Sequence, residues 1–544
     1  MMVVKPIFCK LLLVTGLMLL WSCSDGGGKD VSDADLTTDT GTDMTTGDAG
    51  ADTEPVPAPV IMDILVTENP NNVLSAILDV QTDIDATVTL VIAGGGKTRT
   101  VTFAEPGTDQ SLPVLGMHPE TDYELTVTAV SSDGAKSAPE SLSFSTSALP
   151  DGPFPMLEVL THKPEQMEPG ITIFSSMILQ LPLNQRPGLI LATDSEGTPL
   201  WYHSHPNQVL ESFTLTKAGT ILYLAGTDGA REMNMLGKTL KEWKPESFSS
   251  DDMEILGVHH DIIDLPDDNI VAIGIEMRDI EHEVEGEMVT HHVIGDVILE
   301  WTREGELVHS WSTFDFLDPQ YYKEDFHDSF WDLYVDVAGG TKNWTHCNAI
   351  LYDESDDSFV LSLRHLDWIV KISRESGELL WTMGEGGDFT IAGEGEWFYH
   401  QHAPMLLEPG RIILFDNGNL RPEYELATFF TRTLEFTYDE AGKTFSEAWK
   451  WQDDEPFYSQ YVGDSDRLGN TNVLIGDGGR VEDQSQPLTN PFNLKWYRIV
   501  EVTDNKEVVW EMQAQDFSGD VFGYSLYRAQ RWSSIYPEVI ATEE

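Results

Sequence analysis

From about residue 60 onward the chain is built of short runs of alternating apolar and polar residues, separated by Gly, Asp, Asn and Pro. A period of two predicts half-buried β-strands between tight turns. Ile369-Val-Lys-Ile-Ser and Glu378-Leu-Leu-Trp-Thr, joined by a turn, predict a hairpin. A longer rhythm lies over the first. A turn, a few apolar residues and a Trp recur at Trp201, Trp243, Trp311, Trp381, Trp449 and Trp510, at intervals of 42, 68, 70, 68 and 61 residues. Such intervals exceed one hairpin and suit a four-stranded unit with loop insertions. The expected fold is all-β, a six-bladed β-propeller in which radial repetition leaves few exposed edges. The first Trp precedes any full unit and Ser525 to Trp532 follow the last, so the two ends are expected to share one unit and close the ring.

Three units share a further feature. His260, His346 and His402 each lie five residues before a Leu (Leu265, Leu351 and Leu407), and each Leu leads through a turn into an apolar run. In two sister copies the same position holds Leu210 or Gly463, so the histidines are not needed to build the unit. Equivalent positions of a ring are expected to converge on its axis. Three imidazoles there allow two chemistries, a zinc or copper site with an open position or a nucleophilic and anion-binding site. Arg364 favours the anion. It lies 18 residues after His346 at the far end of the same hairpin, and a fixed guanidinium repels a metal cation but pairs with a sulfate or phosphate. Asn348, two residues after His346, is expected on the same strand face, as an oxyanion donor or as a partner orienting His346.

Composition narrows the partners. The formal net charge is −60, which argues against nucleic acid and requires any anion site to carry its own positive charge. Gly94-Gly-Gly-Lys-Thr98 fails as a phosphate loop, because the first glycine of that motif falls on Val91. Asp353 to Asp357 reads as a solvated acidic turn.

Leu11 to Trp21 form a short apolar core after Lys5 and Lys10, and Leu20-Trp-Ser-Cys23 resembles a bacterial lipobox. Residues 1–23 are expected to be a lipoprotein signal, with Cys23 carrying the lipid. The protein is then exported and held in the bacterial cell envelope by a lipid anchor, with Ser24 pointing to the outer membrane. With Cys9 in the signal and Cys23 lipidated, Cys347 is left as a lone thiol and no internal disulfide is expected. Residues 24–57, rich in Asp, Gly and Thr, read as a disordered tether. Residues 58–148 read as a β-sandwich, and Leu115 to Tyr123 matches the fibronectin type III pattern, with Tyr123 as its corner tyrosine. Residues 149–544 are assigned to the propeller.

Trp344-Thr-His346-Cys-Asn348, followed by Leu361-Ser-Leu-Arg364 and Gly377-Glu-Leu-Leu-Trp381, resembles the bacterial arylsulfate sulfotransferase family. So do Gln401-His402-Ala-Pro with Asp416-Asn417-Gly418, His259-His260-Asp-Ile and Tyr527-Arg-Ala. The resemblance covers roughly Met156 to Tyr536. It implies a six-bladed propeller, often behind an N-terminal β-sandwich, that moves sulfuryl groups from an aryl sulfate donor to a phenolic acceptor without a nucleotide donor, cofactor or metal. It implies His402 as the nucleophile, forming a sulfohistidine, with His260, His346, Asn348 and Arg364 binding the sulfuryl oxygens. Two other readings compete on the residues alone. One is a non-catalytic surface propeller lipoprotein that binds a ligand or partner. The other is a metal enzyme using the same histidines.

Overall fold

The computed structural model describes residues 57–178, 181–250, 253–454, 456–481, 484, 494–515 and 523–543. The expected signal, Cys23 and nearly all of the tether lie outside the described residues. The fold is nearly all-β with antiparallel pairing predominant, as the period-two pattern predicts.

Six sheets follow one plan. Their innermost strands are β1 (Leu210–Leu215), β2 (Val258–Asp264), β3 (Cys347–Asp353), β4 (His402–Glu408), β5 (Asp464–Arg467) and β6 (Ser525–Trp532). From each of β1 to β5 the chain meanders outward through three more strands. The β6 sheet is assembled from both ends of this region, since β6 pairs with Ile171–Met177. Met156–His162 pairs in turn with the outer strand of the β5 sheet. Neighbouring innermost strands pack in the order β1, β2, β3, β4, β5, β6 and back to β1. That closed cycle decides which side chains meet at the centre.

The recurring Gly and Trp are two sides of one contact. Each Trp of the rhythm is buried and lies on the fourth strand of its sheet, counted from the centre. The indole N–H groups of Trp201, Trp449 and Trp510 donate to Met235 O, Asp504 O and Ser195 O, in the last turn of the next sheet. Trp243 and Trp311 lie instead against Gly305 and Gly377 in the equivalent turns. Both glycines have positive φ, 89° and 71°. A Cβ at Gly377 would also clash with Trp311 Cδ1, so the turn excludes a side chain on two counts.

At the centre, the buried carboxylate of Asp261 ties four innermost strands together. Oδ1 accepts from Ser212 Oγ of β1 at 2.7 Å, and both oxygens accept from the Arg528 guanidinium of β6 at 2.9 and 2.7 Å. Oδ2 also accepts from Ile350 N of β3 at 3.0 Å.

Residues before the six sheets form a separate set of strands. The long strand Ala76–Gly94 pairs with Ile61–Glu68 and Gly107–Val114 along one half, and with Lys97–Phe103 and Asp122–Val130 along the other. Gly95 and Gly96, at φ 57° and 78°, form the hairpin turn of the glycine-rich run. The Tyr123 hydroxyl accepts from His118 N at 2.8 Å. The chain's end returns here, where Ala541–Glu543 pairs with Val101–Phe103. One apolar core runs from Leu90 and Val101 through Tyr536 to Ile173 and Trp201.

Removing one partner from a buried ion pair leaves the other charge unmatched, at a cost of about 3–5 kcal/mol. Asp261→Ala is therefore expected to lower the unfolding free energy by about that amount in equilibrium urea denaturation. A loss under about 1 kcal/mol would show that the strands do not depend on this carboxylate.

Candidate functional site

The centre of the ring is shaped by irregular backbone. Register shifts interrupt the pairing between His259 and Ile262, between Cys347 and Ala349, and between His402 and Met405. Such bulges re-aim side chains near active sites. Each has a non-glycine residue at positive φ within it or directly before it, namely His260 at 62° and Ala403 at 41° within theirs and His346 at 49° just before Cys347. Ala403 falls one residue after His402, so the three histidines share a sequence register but not a backbone conformation. Positive φ at non-glycine residues costs roughly 1–3 kcal/mol and persists where the surroundings fix it. His346 is fixed by the amides of Arg364 and His365, which donate to His346 O and Thr345 O at 3.2 Å each.

His260, His346, His402 and Arg364 all line one cavity of about 260 Å³. The His260 and His346 ring centroids are 4.9 Å apart, and Tyr527 lies 4.9 Å from His402 and 5.9 Å from His260. Phe330, from the segment between β2 and β3, packs 5.3 Å from His346 and adds an aromatic wall. Asn348 is buried but does not line the cavity. Its amide donates to Gln401 O at 2.8 Å, which holds the residue before His402.

His402 has a determined tautomer. Nδ1 lies 2.6 Å from Gly463 O, and a carbonyl only accepts, so Nδ1 carries the hydrogen. Nε2 is left with its lone pair, buried and without a hydrogen-bond partner among the described residues. Burial, with the Arg528 and Arg364 charges, pulls the pKa down to about 3, against the Gly463 carbonyl that favours protonation. The imidazole is neutral at physiological pH.

His346 is oriented by the Asn343 side chain. Its Nδ1 is 3.0 Å from Asn343 Nδ2 and 3.3 Å from Asn343 Oδ1, and Asn343 is itself held where Oδ1 accepts from Trp331 Nε1 at 2.9 Å. His260 is set at one remove. Its Nδ1 is 2.6 Å from His259 Nδ1, and His259 Nε2 is 3.0 Å from Asp296 Oδ1. Burial first, and neighbouring imidazoles and Arg364 next, hold the pKa of His260 and of His346 well below the usual histidine value. Positive charge in the cavity is supplied by arginine, not imidazolium.

Sequence reasoning did not single out Glu211, Tyr527, or the pair His259 and Asp296 as site residues. Glu211 adjoins Leu210, the repeat position that holds histidine elsewhere, so the register itself pointed there. The other histidine neighbours have structural partners, with His365 stacked on His346 at 4.6 Å and His400 paired to Asp367 at 3.0 Å. Cys347 is buried, donates to Ala349 O, and has its thiol pKa raised by burial and Asp296. The cavity histidines do not converge to metal-ligand spacing. Among the described residues, the group that does is Asp353, Asp356 and Glu440, and the Lys371 ammonium sits among these three at 2.9, 2.7 and 2.9 Å.

Known proteins point the same way. The family described as Arylsulfotransferase (ASST) matches residues 157–525. Arylsulfate sulfotransferase AssT of Escherichia coli O6:H1 is 26% identical over 330 residues, covering 50% of this chain and 52% of that protein. Its counterpart from Lelliottia amnigena is 24% identical over 392 residues, covering 59% of this chain and 63% of that protein. The matches thus span about half to three-fifths of the length of these relatives. Among solved structures, a Synechocystis apocarotenoid oxygenase variant aligns at 9% identity and a TM-score of 0.30, over 69% of this chain and 96% of that one. A likeness that distant carries no weight for the chemistry.

The depressed pKa of His402 has a consequence for stability. On unfolding, its value rises from about 3 to the ordinary 6.5, so the unfolded chain binds a proton that the native site refuses. The native state is expected to lose stability as pH falls from 6.5 towards 3, by a few kcal/mol from this residue. His402→Asn should flatten that decline in denaturation midpoints measured across the range. An unchanged slope would contradict the buried neutral imidazole.

Proposed function

The chain belongs to the arylsulfotransferase family, and on that footing we propose that it moves a sulfuryl group from an aryl sulfate to a phenolic acceptor through a sulfohistidine at His402, without a nucleotide donor. The observation that carries this reading is the state of His402. It is neutral, its Nδ1–H is fixed on Gly463 O, and its Nε2 lone pair is free in a cavity that contains Arg364.

In this reading Nε2 attacks sulfur in line. The N–S bond forms as the S–O bond to the aryl group breaks, and the aryl oxygen leaves with the bonding electron pair. By analogy with phosphoryl transfer the transition state is loose, so positioning and charge stabilisation do most of the work. Arg364 supplies a pH-independent positive charge for the sulfuryl oxygens, and His346 adds a neutral imidazole to the same cavity. His260, coupled through His259 to Asp296, supplies a second imidazole whose proton is shared with its neighbour. Asn348 acts by holding the backbone that presents His402. Phe330 and the other aromatic wall residues suit the aryl ring of either substrate. The acceptor then attacks the same sulfur and frees His402. The glycine-rich run forms a hairpin turn, which suits a donor that carries no nucleotide.

The architecture fits the same proposal. The six sheets act as a six-bladed β-propeller over residues 149–544, and residues 58–148 as a fibronectin type III-like spacer. Residues 1–23 act as a lipoprotein signal, so that lipid on Cys23 and the tether hold the enzyme in the bacterial cell envelope.

With 4-nitrophenyl sulfate as donor and phenol as acceptor, the protein is expected to release nitrophenol and to gain one SO₃ on a peptide containing His402. His402→Ala should abolish both. Turnover unchanged by that substitution would end the proposal. Arg364→Ala should lower kcat by about 10²–10³-fold, the usual cost of removing one preorganised donor. In fractionated cells, Cys23→Ser should move the protein from the membrane to the soluble envelope fraction.

A further inference from the structure

An acceptor hydroxyl must lose its proton as its oxygen takes the sulfuryl group. His402 is not available to receive it, since Nε2 is the atom releasing sulfur and Nδ1 already holds a hydrogen against Gly463 O. In an in-line displacement the acceptor oxygen enters from the side opposite His402 Nε2. His402 opens β4, and in the cycle of innermost strands β1 stands three steps from β4 in either direction. The ionisable side chain that β1 offers to the cavity is Glu211.

Glu211 is anchored there. Its Oε2 accepts the His260 amide at 3.1 Å, at the residue whose backbone is held at φ 62°. The other cavity-lining carboxylate, Asp328, lies in the segment between β2 and β3 and not on the strand three steps from β4. The charged and titratable groups that act on Glu211 or feel its charge are His259 and His260 on β2, Arg186, Tyr334, and Tyr527 on β6. Burial raises the Glu211 carboxyl pKa, against the lowering effects of the His260 amide, His259 and Arg186. The nearby alternatives are poor proton carriers. Burial lowers the His260 and His346 imidazoles, and burial with the Glu211 charge pushes the Tyr334 phenol up to about 12.

We infer that Glu211 carries the proton for both half-reactions, as acid to the departing aryl oxygen and as base to the incoming hydroxyl. This rests on the sulfuryl-transfer reading. In the first half the protonated carboxyl gives its proton to the aryl oxygen as the S–O bond breaks and the His402 N–S bond forms. In the second half the carboxylate takes the proton of the acceptor as its O–S bond forms and the N–S bond breaks. The proton lost in one half is regained in the other, and no further reactant is needed.

The test is Glu211→Gln, which keeps an oxygen for the His260 amide. With 4-nitrophenyl sulfate, whose leaving group departs without protonation, the variant is expected to give a stoichiometric nitrophenol burst and the SO₃ adduct on His402. Turnover with phenol should fall by about 10²-fold, a typical general-base contribution. An acidic acceptor such as pentafluorophenol, already ionised at neutral pH, should be sulfated within a few-fold of the wild-type rate. Equal losses for both acceptors, or no loss for either, would overturn the assignment. So would an acceptor-selective loss in His260→Asn with none in Glu211→Gln. A variant that gives no burst, beside a wild type that does, also counts against it. A wild-type protein with neither burst nor adduct removes the transfer reading, and this assignment with it.

Discussion

The buried pairing of Asp261 with Arg528 is the interaction on which the centre of this protein depends. A ring of independent sheets has no intrinsic reason to close at a fixed radius, because each sheet is satisfied by its own ladder and by the core it shares with its neighbours. Asp261 supplies that reason. Its carboxylate binds a guanidinium from β6, a hydroxyl from β1 and an amide from β3. Charge-assisted bonds of this kind are strong where water is excluded, and costly to leave unmade. The pair also keeps Arg528 beside His402 and His260, where its charge disfavours protonation of both rings.

On the proposed function, that arrangement divides the labour between nucleophile and charge. Imidazole is a useful nucleophile only when neutral, and an anion site works best with positive charge that does not titrate. A cavity deep enough to strip histidines of their solvation meets the first need. Arg364, permanently charged and lining the cavity, meets the second. The protein as a whole carries a large negative charge, and salt screens such a field within about 8–10 Å. An arginine in the cavity wall, as Arg364 is, is a physical answer to bringing an anion into an acidic protein.

The repeat was legible because its cause is local. Alternation marks strands, and the Gly and Trp rhythm marks turns whose glycine or carbonyl receives an indole from the sheet before. Those features lie within a few dozen residues, and a chain read one unit at a time displays them. His260, His346 and His402 stood out because sister copies lack them, and Arg364 because it shares a hairpin with His346. Asn348 was legible as a residue of the region but not as one whose amide holds Gln401 O, because a bulge at that position breaks the two-residue alternation on which a face is assigned. Glu211 carried only the hint of its neighbour's register. His259 looked like a bystander until its ring was seen between Asp296 and His260.

Residue order alone carries an all-β chain, six repeated units, the residues that set three of those units apart and a large negative charge. Those properties follow from periodicity and composition, which short stretches of chain express independently. Folding added which nitrogen of His402 is free, that burial keeps the histidines neutral, and that Glu211 lies on the strand across the ring from His402. Each of these depends on a partner tens to hundreds of residues away, such as Gly463 for His402, Arg528 for Asp261 or His260 for Glu211. Hydrogen-bond direction and desolvation arise from what closes around a group, and one-dimensional order does not record what closes around it.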